Sequence, residues 1–201
     1  MMFRQDERTC VFIDGSSLYS AARGLGFDVD YKKFLNFFRS RCNLLRVSYY
    51  AAILDTDEYS PLKPLTDWLS YNGYFLVTKA AREFTDNSGR RRVKGNMDIE
   101  IAVDMLEATP RIDHAVLVTG DSDFRRVVES VQRAGVRVSV ISSMKSSPPL
   151  IGDELRRQAD QFIELSDIAE EFTRRQTDPR TRTQPGPVRH PADQMSEPDE
   201  I

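Results

Sequence analysis

Cysteine and histidine are both scarce. Cys10 and Cys42 are the only thiols in 201 residues, and neither stands in a CxxC pair. Two thiols cannot staple a domain of this size or build a four-cysteine zinc cage, and a reduced, cytoplasmic setting fits them as packing residues. His114 and His190 are the only imidazoles, which excludes a three-histidine zinc site and leaves little for a histidine-based triad. No apolar run approaches the roughly 18 residues of a transmembrane helix, and the charged start precedes only the short run Cys10 to Ile13, so neither a membrane span nor a secretory signal is expected. A basic excess is missing too: 28 Lys and Arg face 31 Asp and Glu, for a net charge of -3. Any chemistry in this chain falls mostly to carboxylates.

What is present is an ordinary globular composition, 40% hydrophobic and 29% charged, enough for one domain with a substantial core. Residues 1–8 are expected to be a flexible N-terminus and residues 9–172 the domain. From Thr173 to Ile201 there is no aromatic residue, while Pro179, Pro185, Pro187, Pro191 and Pro198 interrupt the chain. Such a segment buries too little apolar area to offset its ordering entropy and is expected to be a disordered tail. It offers a place for a protein partner, and the oligomeric state is left open.

The domain alternates strand and helix signals. Cys10 to Ile13 and Ala115 to Val118 are continuous apolar runs, the mark of strands covered on both faces. Leu44 to Leu54, Tyr74 to Val77 and Val136 to Val140 read as further strands, the last nearer a sheet edge. Helices are expected after Asp30, after Ser60 with Pro61 at its first position, over Ile99 to Glu107, around Phe124 to Val131, over Gly152 to Asp160 and over Asp167 to Phe172. Gly73 and Gly135 are placed to stop two of them. Lys79 to Lys94 reads as a polar, basic connection. The pattern is α/β: a parallel, Rossmann-like three-layer sheet with helices on both faces.

The two most apolar strands run into acids: Ile13 into Asp14-Gly15-Ser16-Ser17, and Val118 into Thr119-Gly120-Asp121-Ser122-Asp123. Open parallel sheets bind ligands beyond the carboxyl ends of strands where the winding reverses, so Asp14, Asp121 and Asp123 converge if these strands are neighbours. Asp98, at the start of a helix, falls on the face carrying Ile101, Ala102 and Met105, whereas Glu100, Asp104 and Glu107 are expected to point to solvent. Each acid also has a plain role as a helix cap or first-turn residue. Carboxylates about 5 Å apart repel by roughly 3 kcal/mol at an effective dielectric near 20. A cation between them removes that cost, and hard Mg²⁺ or Mn²⁺ suits an all-oxygen set of the kind phosphodiester hydrolysis uses.

Three blocks carry a resemblance: Val11 to Tyr19, Lys94-Gly95-Asn96-Met97-Asp98 followed by Ala102-Val103-Asp104-Met105, and Val116 to Phe124 with Gly120-Asp121-Ser122-Asp123-Phe124 at its centre. Together with Leu155 to Leu165 they resemble the NYN domain in its bacterial LabA-like branch. That resemblance implies a PIN-like fold and a metal-dependent ribonuclease site, with Asp14, Asp98, Asp121 and Asp123 in the acidic positions. The family usually has Asn three residues after the first Asp. Here Ser17 stands there, a shorter hydroxyl that can still bond a water or a metal-bound carboxylate.

Lys79, Arg82, Arg90, Arg91, Arg92 and Lys94 lead directly into Asp98. A basic connection beside an acidic site lets a protein hold a phosphate backbone while metal meets only the scissile group. Phe84, Tyr74 and Tyr19 are candidates to stack an unpaired base, so single-stranded RNA is the expected partner. Arg125 and Arg126 stand where a helix N-terminus disfavours cations, which a phosphate or a nearby carboxylate would explain. A dinucleotide-binding protein is excluded because no GxGxxG follows the first strand. An adhesion-type metal site is excluded because Leu18 replaces its second serine. A non-catalytic RNA-binding or regulatory adaptor on the same fold remains the alternative.

Overall fold

The computed structural model describes residues 2–54, 62–85 and 91–174. Strand β1 (Arg8–Asp14) leads into α1 (Gly15–Gly24), α2 (Tyr31–Arg39), β2 (Asn43–Leu54), α3 (Lys63–Tyr71) and β3 (Phe75–Thr85). After β4 (Arg91–Lys94) come α4 (Asp98–Ala108), β5 (His114–Val118), α5 (Arg125–Arg133), β6 (Arg137–Ser142), α6 (Asp153–Gln158), β7 (Gln161–Glu164) and α7 (Leu165–Ile168). The sheet order is β4-β3-β2-β1-β5-β6-β7. All pairings are parallel except β3 with β4.

Side-chain alternation builds the layers. On β1, Val11 and Ile13 face a core with Phe34, Phe38, Leu69 and Phe172, while Cys10 and Phe12 face one with Ile101, Met105, Val128 and Leu155. Crossovers toward β3 therefore place α1, α2 and α3 on one face. Those running back toward β7 place α4, α5 and α6 on the other, as right-handed connections require. Gly73 and Gly135 have φ of +89° and +86° just past the ends of α3 and α5, so both expected stops are observed.

Several expectations need correction. Lys79 to Lys94 is not simply a connection: β3 runs on to Thr85 and β4 returns antiparallel, pairing Arg82 with Lys94 and Thr85 with Arg91. Strand β6 stands second from the edge, as its alternation implies, while β7, which no apolar period marks, forms the edge itself. Helix α3 begins at Lys63 with Pro64 in its first turn, and the expected cap Ser60 and Pro61 lie outside the described residues. The N-terminus is packed: Phe3 is buried with its ring 5.8 Å from Phe37 and 5.5 Å from Phe38. The tail from residue 175 lies outside the described residues. Among the described residues no helix is long and apolar enough to cross a membrane. Cys10 and Cys42 are buried and unpaired, and burial pushes both thiols up in pKa, as packing residues should be.

The polar residues of β6 belong to a buried network at the sheet's amino edge. Arg137 Nη2 donates to His114 Nδ1 at 3.1 Å, so the imidazole proton sits on Nε2, 2.8 Å from Ser139 Oγ. Arg137 Nε donates to both Glu7 carboxylate oxygens at 3.2 Å. Burial, then the charge of Arg137, lowers His114 to about 4, so the ring is neutral and its 3.7 Å approach to Glu7 is not an ion pair at neutral pH. The folded pKa lies below the ordinary value of 6.5. The stability contributed by neutral His114 is therefore complete above pH 6.5 and lost as pH falls toward 4. The loss amounts to at most about 3 kcal/mol. Urea titrations at pH 7 and pH 5 are expected to show this fall, and His114→Gln to flatten it; an unchanged slope in that variant removes His114 as the cause.

Candidate active site

Strands β1 and β5 are neighbours, with Ile13 opposite Val118, and the winding reverses between them. Asp14 and the Thr119–Asp123 turn therefore meet at one point of the carboxyl edge. Asp14 caps α1: its Oδ1 accepts from Ser16 N at 3.0 Å, Ser17 N at 3.3 Å and Ser16 Oγ at 2.8 Å. Its Oδ2 accepts from Ser17 Oγ at 2.6 Å and Thr119 Oγ1 at 3.2 Å. Ser17 thus orients the first aspartate. The shorter side chain reaches the carboxylate directly.

Thr119, which no spacing rule selects, joins the two strand ends. Buried at 1% exposure, it lies 3.2 Å from Ser17 Oγ and accepts from Asp121 N at 3.3 Å. Its place between the end of β5 and Asp121 is the signal the sequence offers. Asp121 caps the following 3-10 turn, accepting from Asp123 N at 2.9 Å. Asp121 and Asp123 are exposed, and Asp98 is half-buried at the start of α4.

Asp98 reports how these groups sit. Burial raises its pKa, and the charges of Asp121, Asp14 and Asp123 raise it further against a hydrogen bond from Asn96. The four acids therefore share one electrostatic neighbourhood. Among the described residues no three Asp, Glu, His or Cys side chains are drawn into metal-ligand spacing. Four like charges hold themselves apart unless a cation draws them in. The donor set is all carboxylate and hydroxyl oxygen, which fits a hard divalent ion.

The basic residues divide. Lys79 Nζ lies 2.9 Å from Glu100 Oε1 and donates to the Asn96 carbonyl at 3.3 Å, so it braces the start of α4. Arg82, Arg91, Arg92 and Lys94 lie on the β3–β4 hairpin, which leads into Asp98. Arg126 is paired with Glu129 at 2.6 Å, which supplies its carboxylate partner. Glu100 and Asp104 do not point simply to solvent: Glu100 holds Lys79, and Tyr50 Oη donates to Asp104 at 2.7 Å. Tyr74 is buried, its hydroxyl donating to the Tyr31 carbonyl at 2.7 Å, so it stacks no base, whereas Tyr19 is 60% exposed.

The model of the NYN domain matches residues 8–166. The chain is 33% identical over 172 residues to the low amplitude and bright protein LabA of Synechococcus elongatus, a match spanning 84% of this chain and 88% of that protein. Its fold resembles that of a protein of unknown function from Vibrio parahaemolyticus, with a TM-score of 0.67 and 24% identity over 85% of this chain and 99% of the other.

Proposed function

Because the chain belongs to the NYN domain family, a group of PIN-like nucleases, we propose that it is a Mg²⁺- or Mn²⁺-dependent ribonuclease acting on single-stranded RNA. The observation that supports this reading is the meeting of the Asp14 and Thr119–Asp123 segments at the carboxyl ends of β1 and β5, where the winding reverses, and the raised pKa of Asp98 agrees with it. Asp14 and Asp121 would be the central ligands, with Asp98 and Asp123 completing the set. Bound there, a divalent ion would supply charge to polarise the scissile phosphate, acidify an attacking water and stabilise the leaving oxygen.

The chain's own residues prepare that chemistry. Ser16, Ser17 and Thr119 fix the Asp14 carboxylate. The Asp121 carboxylate is oriented by the Asp123 amide. The basic hairpin supplies cations for the phosphate backbone, whose contacts position without reading sequence.

The test is cleavage of a labelled single-stranded RNA with Mn²⁺, with Mg²⁺ and with EDTA, beside Asp121→Asn. Cleavage is expected only with metal, and the variant is expected to lose it while Mn²⁺ no longer raises its melting temperature. A second reading, an RNA-binding adaptor without catalysis, draws on the five donors that already occupy Asp14. RNA binding without cleavage or any metal-induced shift would favour it.

A further inference from the structure

A cavity of about 680 Å³ opens between α1, α2 and α3, apart from the acids but close to them. Two tyrosines, Tyr49 and Tyr31, connect the Asp14 turn to the cavity. Gly15, next to Asp14, lies so tightly on the Tyr49 ring that a Cβ there would sit 2.6 Å from the Tyr49 hydroxyl. That hydroxyl is 3.3 Å from the hydroxyl of Tyr31, which lines the cavity.

The lining pairs aromatic faces with cations. Tyr19 and Arg23 lie one turn apart on α1, along a line leading away from Asp14, and Phe27, Lys32, Trp68 and Arg174 surround the remaining space. Tyr19 is 60% exposed, its ring free to meet a ligand while the same helix buries Leu18, Ala21 and Ala22. Lys32 is exposed in the first turn of α2 and adds a cation to the cavity rim. Asp28 and Asp30 also line the cavity, but Asp30 is committed to capping α2 through Lys33 N at 3.1 Å. Flat apolar faces flanked by cations are what a base and its phosphate require, and stacking of this kind tolerates any base.

We infer that this cavity is a nucleobase subsite: an unpaired base of the RNA strand stacks on Trp68 and Tyr19 while Arg23 and Lys32 meet the adjoining phosphates. The inference rests on the ribonuclease reading and gives it a substrate class, a strand whose bases are unpaired beside the cut. Trp68 is the only tryptophan in the chain, so its emission reports the subsite alone.

The experiment uses the full chain carrying Asp121→Asn, which prevents turnover, and a labelled octauridine RNA followed by anisotropy and by Trp68 emission. Binding is expected to quench Trp68 with the same midpoint as the anisotropy, and Tyr19→Ala and Arg23→Ala, both on the helix surface, are expected each to weaken binding about fivefold or more. Octauridine that binds while Trp68 emission stays constant and Tyr19→Ala binds unchanged would overturn the subsite and leave the ribonuclease reading standing. Absence of any RNA binding would overturn both. Quenching by uridine monophosphate alone, with no binding of octauridine, would make the cavity a mononucleotide site and reject the RNA strand as its occupant.

Discussion

Asp98→Asn is expected to stabilise the protein in EDTA while cutting RNA cleavage by about 10²–10⁴-fold, the range in which acid–base and ligand groups act. The two effects have one origin. Burial and then the charges of Asp121, Asp14 and Asp123 hold the Asp98 pKa above its ordinary value, so the folded state pays for ionising it at neutral pH. A group shifted in this direction stabilises most below its unfolded pKa and loses that contribution as pH rises through the folded value. The amide carries no charge, so its advantage appears at pH 7 and fades below about pH 4. Because Asp98 is half-exposed, the gain is small, a rise in melting temperature of about 1–3 °C. Mn²⁺ should then stabilise the wild type more than the variant. Calorimetry with and without Mn²⁺ decides the matter, and a variant that melts lower in EDTA would show that the acids do not repel one another at this site.

The second large effect is structural. Gly120→Ala is expected to destabilise the fold by about 3 kcal/mol and to remove activity with it. A Cβ on Gly120 would lie 2.1 Å from the Leu150 carbonyl oxygen, a backbone atom that cannot swing aside. Leu150 is held in turn, its amide donating to the Ser143 carbonyl at 3.0 Å, and Gly152 N donates to the Gly120 carbonyl at 3.1 Å. The acidic turn is thereby clamped by the segment after β6. Gly26→Ala is the contrast: nothing lies within 4 Å of that position, and its cost is the φ of +79° alone, about 1–2 kcal/mol. Equal losses in the two variants, measured by urea denaturation, would contradict the clamp.

The legible parts of this molecule are those where local pattern and tertiary role agree. The apolar runs Val11 to Ile13 and Ala115 to Val118 read as strands covered on both faces, and the acids that end them lie where the switch-point rule places ligands. Gly73 and Gly135 are read from backbone chirality alone. The sequence hides what depends on partners far along the chain. Strand β4, Arg91–Lys94, is charged and gains strand character only by pairing with β3. Strand β7 is four residues long, too short to show a period. Arg137 and Ser139 look like an exposed strand face until His114 and Glu7 are placed beside them. Thr119 bridges Ser17 and Asp121, and no spacing rule links positions so far apart in sequence.

The central place of β1 also decides when Asp14 and Asp121 can come together during synthesis. Its left-hand neighbour β2 is made soon after it, but its right-hand neighbour β5 begins only at His114. Until then Asp14 stands at an open sheet edge with neither Thr119 to fix it nor Asp121 beside it. A nascent or prematurely ended chain lacking β5 therefore holds no assembled acid pair, however well its first half has folded. The order of strands acts as a delay, tying the appearance of the acidic centre to translation of more than half the chain.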